Sequence, residues 1–470
     1  MKEMANSTVS EIQMNHAHPN TIPPKPLILI PKAVLLPDLS IRTNTAVLCR
    51  GDTIEEVDDA AVLKNRLKSK GEQAIEKRLP DRLLLPGTIN AHNHSFQSLL
   101  RGVADDRPFL IWRDEALYRY APMLGPDGIY TAALLAFSEM IRMGITTVCD
   151  FFYIHGKGIE TDLAVRRAAH DVGIRIVIAR TFYDWDGAPA CFRENIDDAT
   201  TFFRELHEHF ADDPLASTLP APHSPHGASP EMIQAGASLS SELGIPWHMH
   251  LAEEPFELEE IHEKWGTTPV GFLKQIQCLD ERLCIVHGVH LPDSDIEDLG
   301  DKGVGLLHCP SSNMFLGDGA APLMKMRAAG MRAALGSDGG CSNNRVSVFE
   351  EMRMASLLQK VMAQDGATFS AEEAFLMGTQ GGAELCGLKA GGISPGNLAD
   401  MVTINLEDLS LQPPANILRN IVYSMQPSAI TDVFVGGSQV LQDGNLTRIP
   451  EREVVSQTKD LCRRIGLTAV

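Results

Sequence analysis

The sequence is short of positive charge. Against 61 Asp and Glu it sets only 41 Lys and Arg, a formal net charge of −20 over 470 residues. A surface of that sign repels a polyanion, so no nucleic-acid partner is expected. Paired cysteines are lacking too: nine Cys are scattered along the chain without a C-x-x-C spacing, which implies neither a disulfide framework nor a thiolate zinc site. No apolar run approaches the roughly 20 residues that span a bilayer, so no membrane partner is expected. The opening MKEMANSTVSEIQMNHAHPNTIPPKP has no apolar core behind a positive start. It is therefore not read as a secretory signal, a cytoplasmic location is the default, and the sequon Asn6-Ser7-Thr8 carries little weight. With 44% hydrophobic and 22% charged residues, the chain has the balance of a soluble globular protein with ample core, which excludes fibrous and disordered classes.

What is present is an alternation. From about Leu27 the chain reads as short β-like runs, PLILIPKAVLLP and TAVLCRGDTIEEV, punctuated by Pro, Gly and Asp. With no helix long enough for a crossover, these read as antiparallel. From Leu83 apolar runs alternate with amphipathic helical stretches: LLLPGTINAH, ITTVCDFFY, IRIVIARTF, LASTLPAPH, IPWHMHLAE, LCIVHGVH, GVGLLHCP and MRAALGSD. Eight strands alternating with helices is the count of a closed (β/α)8 TIM barrel, an α/β fold. The β-like pattern returns in ADMVTINL and ITDVFVGGSQVLQDG. The expected organisation is a mobile tail over residues 1–25, a barrel over 87–390, one small β domain assembled from 26–86 and 391–450, and a helical tail over 451–470.

The polar residues fall at the carboxyl ends of the proposed strands, the face on which barrels build active sites. Strand one ends in His92-Asn93-His94, and in an extended chain residues i and i+2 point the same way. Strand five ends in His248-Met249-His250-Leu251-Ala252-Glu253, strand six in His287 and strand eight in Asp338. Imidazoles and one carboxylate converging from separate strands suit zinc or another divalent transition metal that keeps a position open for water. A single histidine in such a run is more often a hydrogen-bonded structural residue; a whole set at one end of separate strands is a different matter. His248 shares the face of His250, and only one of the two need bind. His207 and His209, in RELHEHF away from any strand end, read as surface residues.

PGTINAHNH, HMHLAE, IVHGVH and GSDGGCSNN, with the trailing ISPGNLADMV, resemble the amidohydrolase superfamily, specifically its cytosine, guanine and triazine aminohydrolase branch, over about residues 27–450. The resemblance implies a distorted (β/α)8 barrel with a flanking β-sandwich. It also implies one divalent metal, zinc first and iron(II) as the alternative, held by His92, His94, His250 and Asp338. Two-metal branches usually carry a bridging lysine at the end of strand four; here that strand ends in APHSPH, which indicates a mononuclear centre. A divalent metal brings the pKa of bound water towards neutrality, and Asp338 is placed to deprotonate that water. By the same resemblance Glu253 moves protons to the substrate nitrogen and the leaving ammonia, which needs a carboxyl with a pKa near working pH. His287 orients the water and stabilises the adduct.

Substrate selection is read from Gln97, three residues beyond His94, and from PFLIWRDEALYRYAPML. This segment resembles N-formimino-L-glutamate deiminase, implying roles for Trp112, Arg113 and Tyr153, with Arg113 pairing a substrate carboxylate. At strand four His223 is kept, but His226 stands where that enzyme has a second arginine. Downstream, HCPSSNMFLGDGAAPLMKMRAAG resembles 8-oxoguanine, isoxanthopterin and thioadenosine-type deaminases. The expected function is a hydrolytic deaminase of a small nitrogen-rich molecule: a purine, pterin or triazine-like ring, or a formimino compound. The alternatives are a formimino-amino-acid deiminase proper, a triazine hydrolase releasing alkylamine or chloride and, remotely, a non-catalytic binding protein on the same fold. Assembly into a homo-oligomer is left open.

Overall fold

A computed structural model describes residues 25–467 apart from Lys157. The tail assigned to residues 1–25 and the Asn6 sequon lie, Lys25 aside, outside the described residues. Eight parallel strands carry the middle of the chain: β1 (Thr88–Asn93), β2 (Ile145–Phe152), β3 (Arg175–Phe182), β4 (Ala216–Pro222), β5 (Trp247–Leu251), β6 (Leu283–His287), β7 (Gly305–His308) and β8 (Arg332–Leu335). Almost every residue in them is buried. A parallel strand with helices on one face and the barrel interior on the other has no wet side, which is why these segments read as unbroken apolar runs.

The strands pair in chain order as two ladders, β1 to β4 and β5 to β8. At the two seams the carboxyl ends are bridged by single main-chain bonds. The N–H of His250 donates to the carbonyl of His223 at 3.0 Å, and the N–H of Asp338 to the carbonyl of His92 at 3.1 Å. This is the distorted barrel expected, and both seams run beside residues at its polar end. Helices fill the connections with start and stop signals written in the sequence. Pro230–Leu243 begins at Ser229, whose hydroxyl accepts from the Met232 N–H, and stops at Gly244 with φ 66°, a left-handed cap that a side chain would strain.

The flanking sheet has nine strands drawn from both sides of the barrel, from Leu27–Leu35 through Ile75–Pro86 to Asn445–Leu446. One pairing differs from the antiparallel reading: Leu27–Leu35 runs parallel to Ile75–Pro86. Parallel neighbours need a crossover, and the helix Ala60–Ser69 supplies it. Only Leu63 and Leu67 of that helix are buried, a pattern too sparse to stand out. A buried pair fastens the sheet to the barrel: Arg175 at the start of β3 donates from Nε to Asp400 Oδ2 at 2.7 Å and from Nη2 to Oδ1 at 3.1 Å. The last described helix, Glu451–Arg464, packs against Pro126–Arg142. No helix among the described residues is long and apolar enough to cross a membrane.

Candidate active site

Four side chains meet above the barrel interior. Nε2 of His92 lies 3.4 Å, and Nε2 of His94 3.3 Å, from Oδ1 of Asp338, while Nε2 of His250 lies 3.3 Å from Nε2 of His92. Two of the imidazoles have their tautomers set from behind. Nδ1–H of His94 donates to the Phe151 carbonyl at 2.6 Å and Nδ1–H of His250 to the His223 carbonyl at 3.0 Å. Their Nε2 lone pairs therefore converge with a carboxylate oxygen and no proton between them. Acceptors so arranged want a cation, and the three separations of 3.3–3.4 Å each match the distance between two ligands bonded to one metal at about 2.0–2.1 Å, with His92, His94 and Asp338 forming one close group and His92, His250 and His287 another. The donor set fits a divalent metal. The second oxygen of Asp338 accepts from the hydroxyls of Ser312 and Ser342 at 2.6 and 2.8 Å, a support that holds a ligand's orientation.

Beside this set, Nε2 of His287 faces Oε1 of Glu253 at 3.3 Å, and Nδ1–H of His287 donates to Oδ1 of Asn313 at 2.8 Å. Burial first, then the carboxylates of Asp318 and Asp338, hold the Glu253 carboxyl well above the ordinary carboxylate range. Three residues here have left-handed backbones: Ala252 (φ 53°), His287 (φ 68°) and Asp338 (φ 56°). Strain of this kind outside glycine persists where the surroundings over-determine it, and it gathers at functional sites.

The set opens into a concave pocket walled by aromatic and polar side chains. All six residues expected to select the substrate line this pocket. Gln97 donates to the Tyr153 hydroxyl at 3.1 Å and accepts from the Cys341 thiol at 3.4 Å. The Trp112 indole N–H donates to the Cys341 carbonyl at 3.0 Å. His223 stacks on Tyr183, ring centroids 4.3 Å apart. Arg113 lines the pocket, yet Nε and Nη2 both hold Oδ1 of Asp114 at 2.9 and 2.8 Å. Its guanidinium lies 4.5 Å over the Tyr118 ring, on a stretch of wider, π-type helix from Arg113 to Tyr118. His226 faces the buried carboxylate of Glu257, Nδ1 to Oε2 3.6 Å.

His248 is resolved away from the metal set. One layer deeper, its Nε2 donates to the Leu385 carbonyl at 3.1 Å and its Nδ1 lies 3.7 Å from the Cys149 sulfur. His207 and His209 sit on the outer helix Ile196–His209, as expected. Sequence reasoning missed most of the aromatic wall: Phe109, Tyr118, Tyr183, Trp185, Phe192 and Phe256 line the pocket with Trp112 and Tyr153. Tyr183 and Trp185 immediately follow β3, so the strand-end signal that singled out the histidines applied to them also. Asp318 was missed as well. Burial, then a side-chain interaction with the neighbouring Glu254, push its carboxyl up to about 10.

Residues 83–440 match the sequence profile of the amidohydrolase family. The chain is 33% identical over 385 residues to a 5-methylthioadenosine/S-adenosylhomocysteine deaminase of Syntrophobacter fumaroxidans, covering 82% of this chain and 86% of that protein. It is 34% identical over 406 residues to a 5'-deoxyadenosine deaminase of Methanothermobacter thermautotrophicus, covering 86% and 92%. Among solved structures, an adenosine deaminase from Xanthomonas campestris with bound zinc superposes with a TM-score of 0.86 at 28% identity, over 94% of this chain and 99% of that one.

Proposed function

The chain belongs to the amidohydrolase family, and from that premise we propose that it is a metal-dependent deaminase that removes the amino group of a 6-aminopurine ring as ammonia. The coarser statement needs no proposal: it is a hydrolase acting on carbon–nitrogen bonds. The observation that carries the finer reading is the buried Glu253 carboxyl facing His287, beside the convergent donors and inside a pocket walled by aromatic rings. Flat faces suit a planar heterocycle, and a carboxylic acid suits a ring nitrogen that must gain a proton as its neighbouring carbon is attacked.

A divalent metal, zinc in the similar adenosine deaminase, would be held by His92, His94, His250 and Asp338 and would supply the Lewis acidity that makes water a nucleophile at neutral pH. Asp338 accepts a proton from the attacking water. Glu253 gives its proton to the ring nitrogen, and His287 hydrogen-bonds the new carbon–oxygen group, its orientation fixed by Asn313. As the carbon–nitrogen bond breaks, the proton on Asp338 goes to the departing amino group, and the hydroxyl proton of the adduct restores Glu253. Ammonia and a ring carbonyl result, with both carboxyl groups back in their starting states.

Ammonia release should be measured on 5'-deoxyadenosine, 5'-methylthioadenosine, S-adenosylhomocysteine and adenosine, alongside N-formimino-L-glutamate and aminotriazines. The adenine compounds are expected to react, with about one metal per chain and activity lost to a chelator. Ammonia from the formimino compound alone would overturn the proposal. One observation favours that second reading, the guanidinium of Arg113 on the pocket wall, but Asp114 already holds it.

A further inference from the structure

The chain leaves β5 by an abrupt turn, and a single carboxylate holds that turn from behind. Glu257 is 1% exposed. Its Oε2 accepts from the Ala252 N–H at 3.1 Å, and its Oε1 accepts from the N–H groups of Glu253 and Glu254 at 3.1 and 3.0 Å. Part of this is ordinary helix capping: Glu257 is the third residue of Pro255–Trp265, and it exchanges hydrogen bonds with the N-cap residue Glu254. A capping box needs only the N-cap N–H. The two additional donors, Ala252 and Glu253, belong to the left-handed residue and to the residue that carries the proton. Alanine at φ 53° is costly without such an anchor. On its outer side the same carboxylate faces Nδ1 of His226 at 3.6 Å, and His226 lines the pocket.

We propose that Glu257 is a positioning residue: by gathering the N–H groups of Ala252, Glu253 and Glu254 it fixes the left-handed turn that aims the Glu253 carboxyl at His287, with His226 as its contact to the pocket. The inference rests on the reading of Glu253 as the proton donor. It assigns no chemical step to Glu257, which does not line the pocket. The Glu257 carboxylate supplies acceptors to all three N–H groups at once. An amide at the same place keeps one oxygen and turns an N–H against the others, so the turn loosens while the helix keeps its hydrophobic packing.

Glu257→Gln, Glu257→Asp, Glu253→Gln and the double variant Ala252→Gly/Glu257→Gln should be compared on the best adenine substrate, with metal content and thermal midpoint recorded for each. Glu257→Gln is expected to keep the metal and to lower kcat by about 10- to 100-fold, the cost of a misplacement near 1 Å, with KM changed less than about threefold. Glycine at position 252 needs no anchor for a positive φ, so the double variant should recover part of the lost kcat. Amide hydrogen exchange over residues 251–258 should quicken in Glu257→Gln, an outcome readable without substrate. A folded, metal-loaded Glu257→Gln with kcat within about twofold of wild type overturns the inference, as does a double variant no faster than the single one. Should Glu257→Gln fail to fold, Glu257→Asp decides: it retains the negative charge but is one methylene too short to reach all three donors, and an unchanged kcat there also overturns the inference. If Glu253→Gln itself retains kcat, the reading of Glu253 has failed; if only Glu257→Gln does, the inference alone has.

Discussion

In the proposed reaction Glu253 is the proton donor. Burial and the carboxylates of Asp318 and Asp338 raise its pKa, and Nε2 of His287 lies 3.3 Å away. Glu253→Gln preserves shape and hydrogen bonding but can deliver no proton. Its kcat is expected to fall by at least about a hundredfold with metal content unchanged by elemental analysis; a kcat near wild type would reduce Glu253 to a structural carboxyl. Arg113 separates the substrate readings. A carboxylate-bearing substrate would lose about 30- to 1000-fold in kcat/KM when Arg113 becomes Ala, whereas an adenine compound, with Asp114 already holding the guanidinium, should lose less than about threefold. At this scale the sequence was most informative where a residue type is costly in its setting: histidines and acids at the ends of apolar strands. It could not separate His248 from His250, because a period of two gives the face of a strand and says nothing of depth along it.

Strand ends matter because the barrel's two seams run through them. Gly336, just past β8, donates its N–H to the His308 carbonyl at 3.0 Å. A Cβ at this glycine would come within 2.8 Å of the Cβ and carbonyl oxygen of His92 and 2.9 Å of its nitrogen. That is main chain, which cannot swing aside. Gly336→Ala should therefore push β1 off β8, with a loss of stability of about 1–3 kcal/mol by denaturant titration. Metal affinity should fall by about tenfold or more in chelator competition. An alanine variant with wild-type affinity would mean that the seam does not govern ligand placement. All eight strands were legible as apolar runs because parallel strands are buried on both faces. The crossover helix Ala60–Ser69 was not, since it buries only Leu63 and Leu67 against the flanking sheet.

The whole molecule assembles what the chain holds far apart. The aromatic wall draws Phe109 and Phe256 from positions 147 residues apart, 256 minus 109, and no local pattern announces that they meet. The interior also sets the response to pH. Five buried histidines, His92, His94, His248, His250 and His308, and the half-buried His223 are all pushed below their ordinary pKa, foremost by desolvation. His248 and His308, outside the proposed ligand set, are lowered to about 4 and about 3. In the unfolded chain a histidine takes up its proton near pH 6.5; in the folded protein these two do not until pH 4 or below. Their contribution to stability is thus complete above about pH 6.5 and is lost as pH falls toward 4 and then 3.

Buried carboxyl groups oppose this, Glu253 and Asp318 among them. Asp150 and Glu351 are each raised to about 7 by burial, so their contribution is full below about pH 4 and is lost as pH rises through 7. The two sets act in opposite directions between pH 4 and 7. His308 gives a clean test, because neither ring nitrogen has a hydrogen-bond partner and its replacement breaks no such bond. Between pH 6.5 and 4.5 the wild-type folding equilibrium should lose up to about tenfold per pH unit for this one histidine. His308→Gln should remove that share of the slope whatever its absolute stability. Urea titrations of both proteins at half-unit steps across this window measure the difference. Parallel curves for the two would show that His308 protonates in the folded state, and that burial does not set the acid limb.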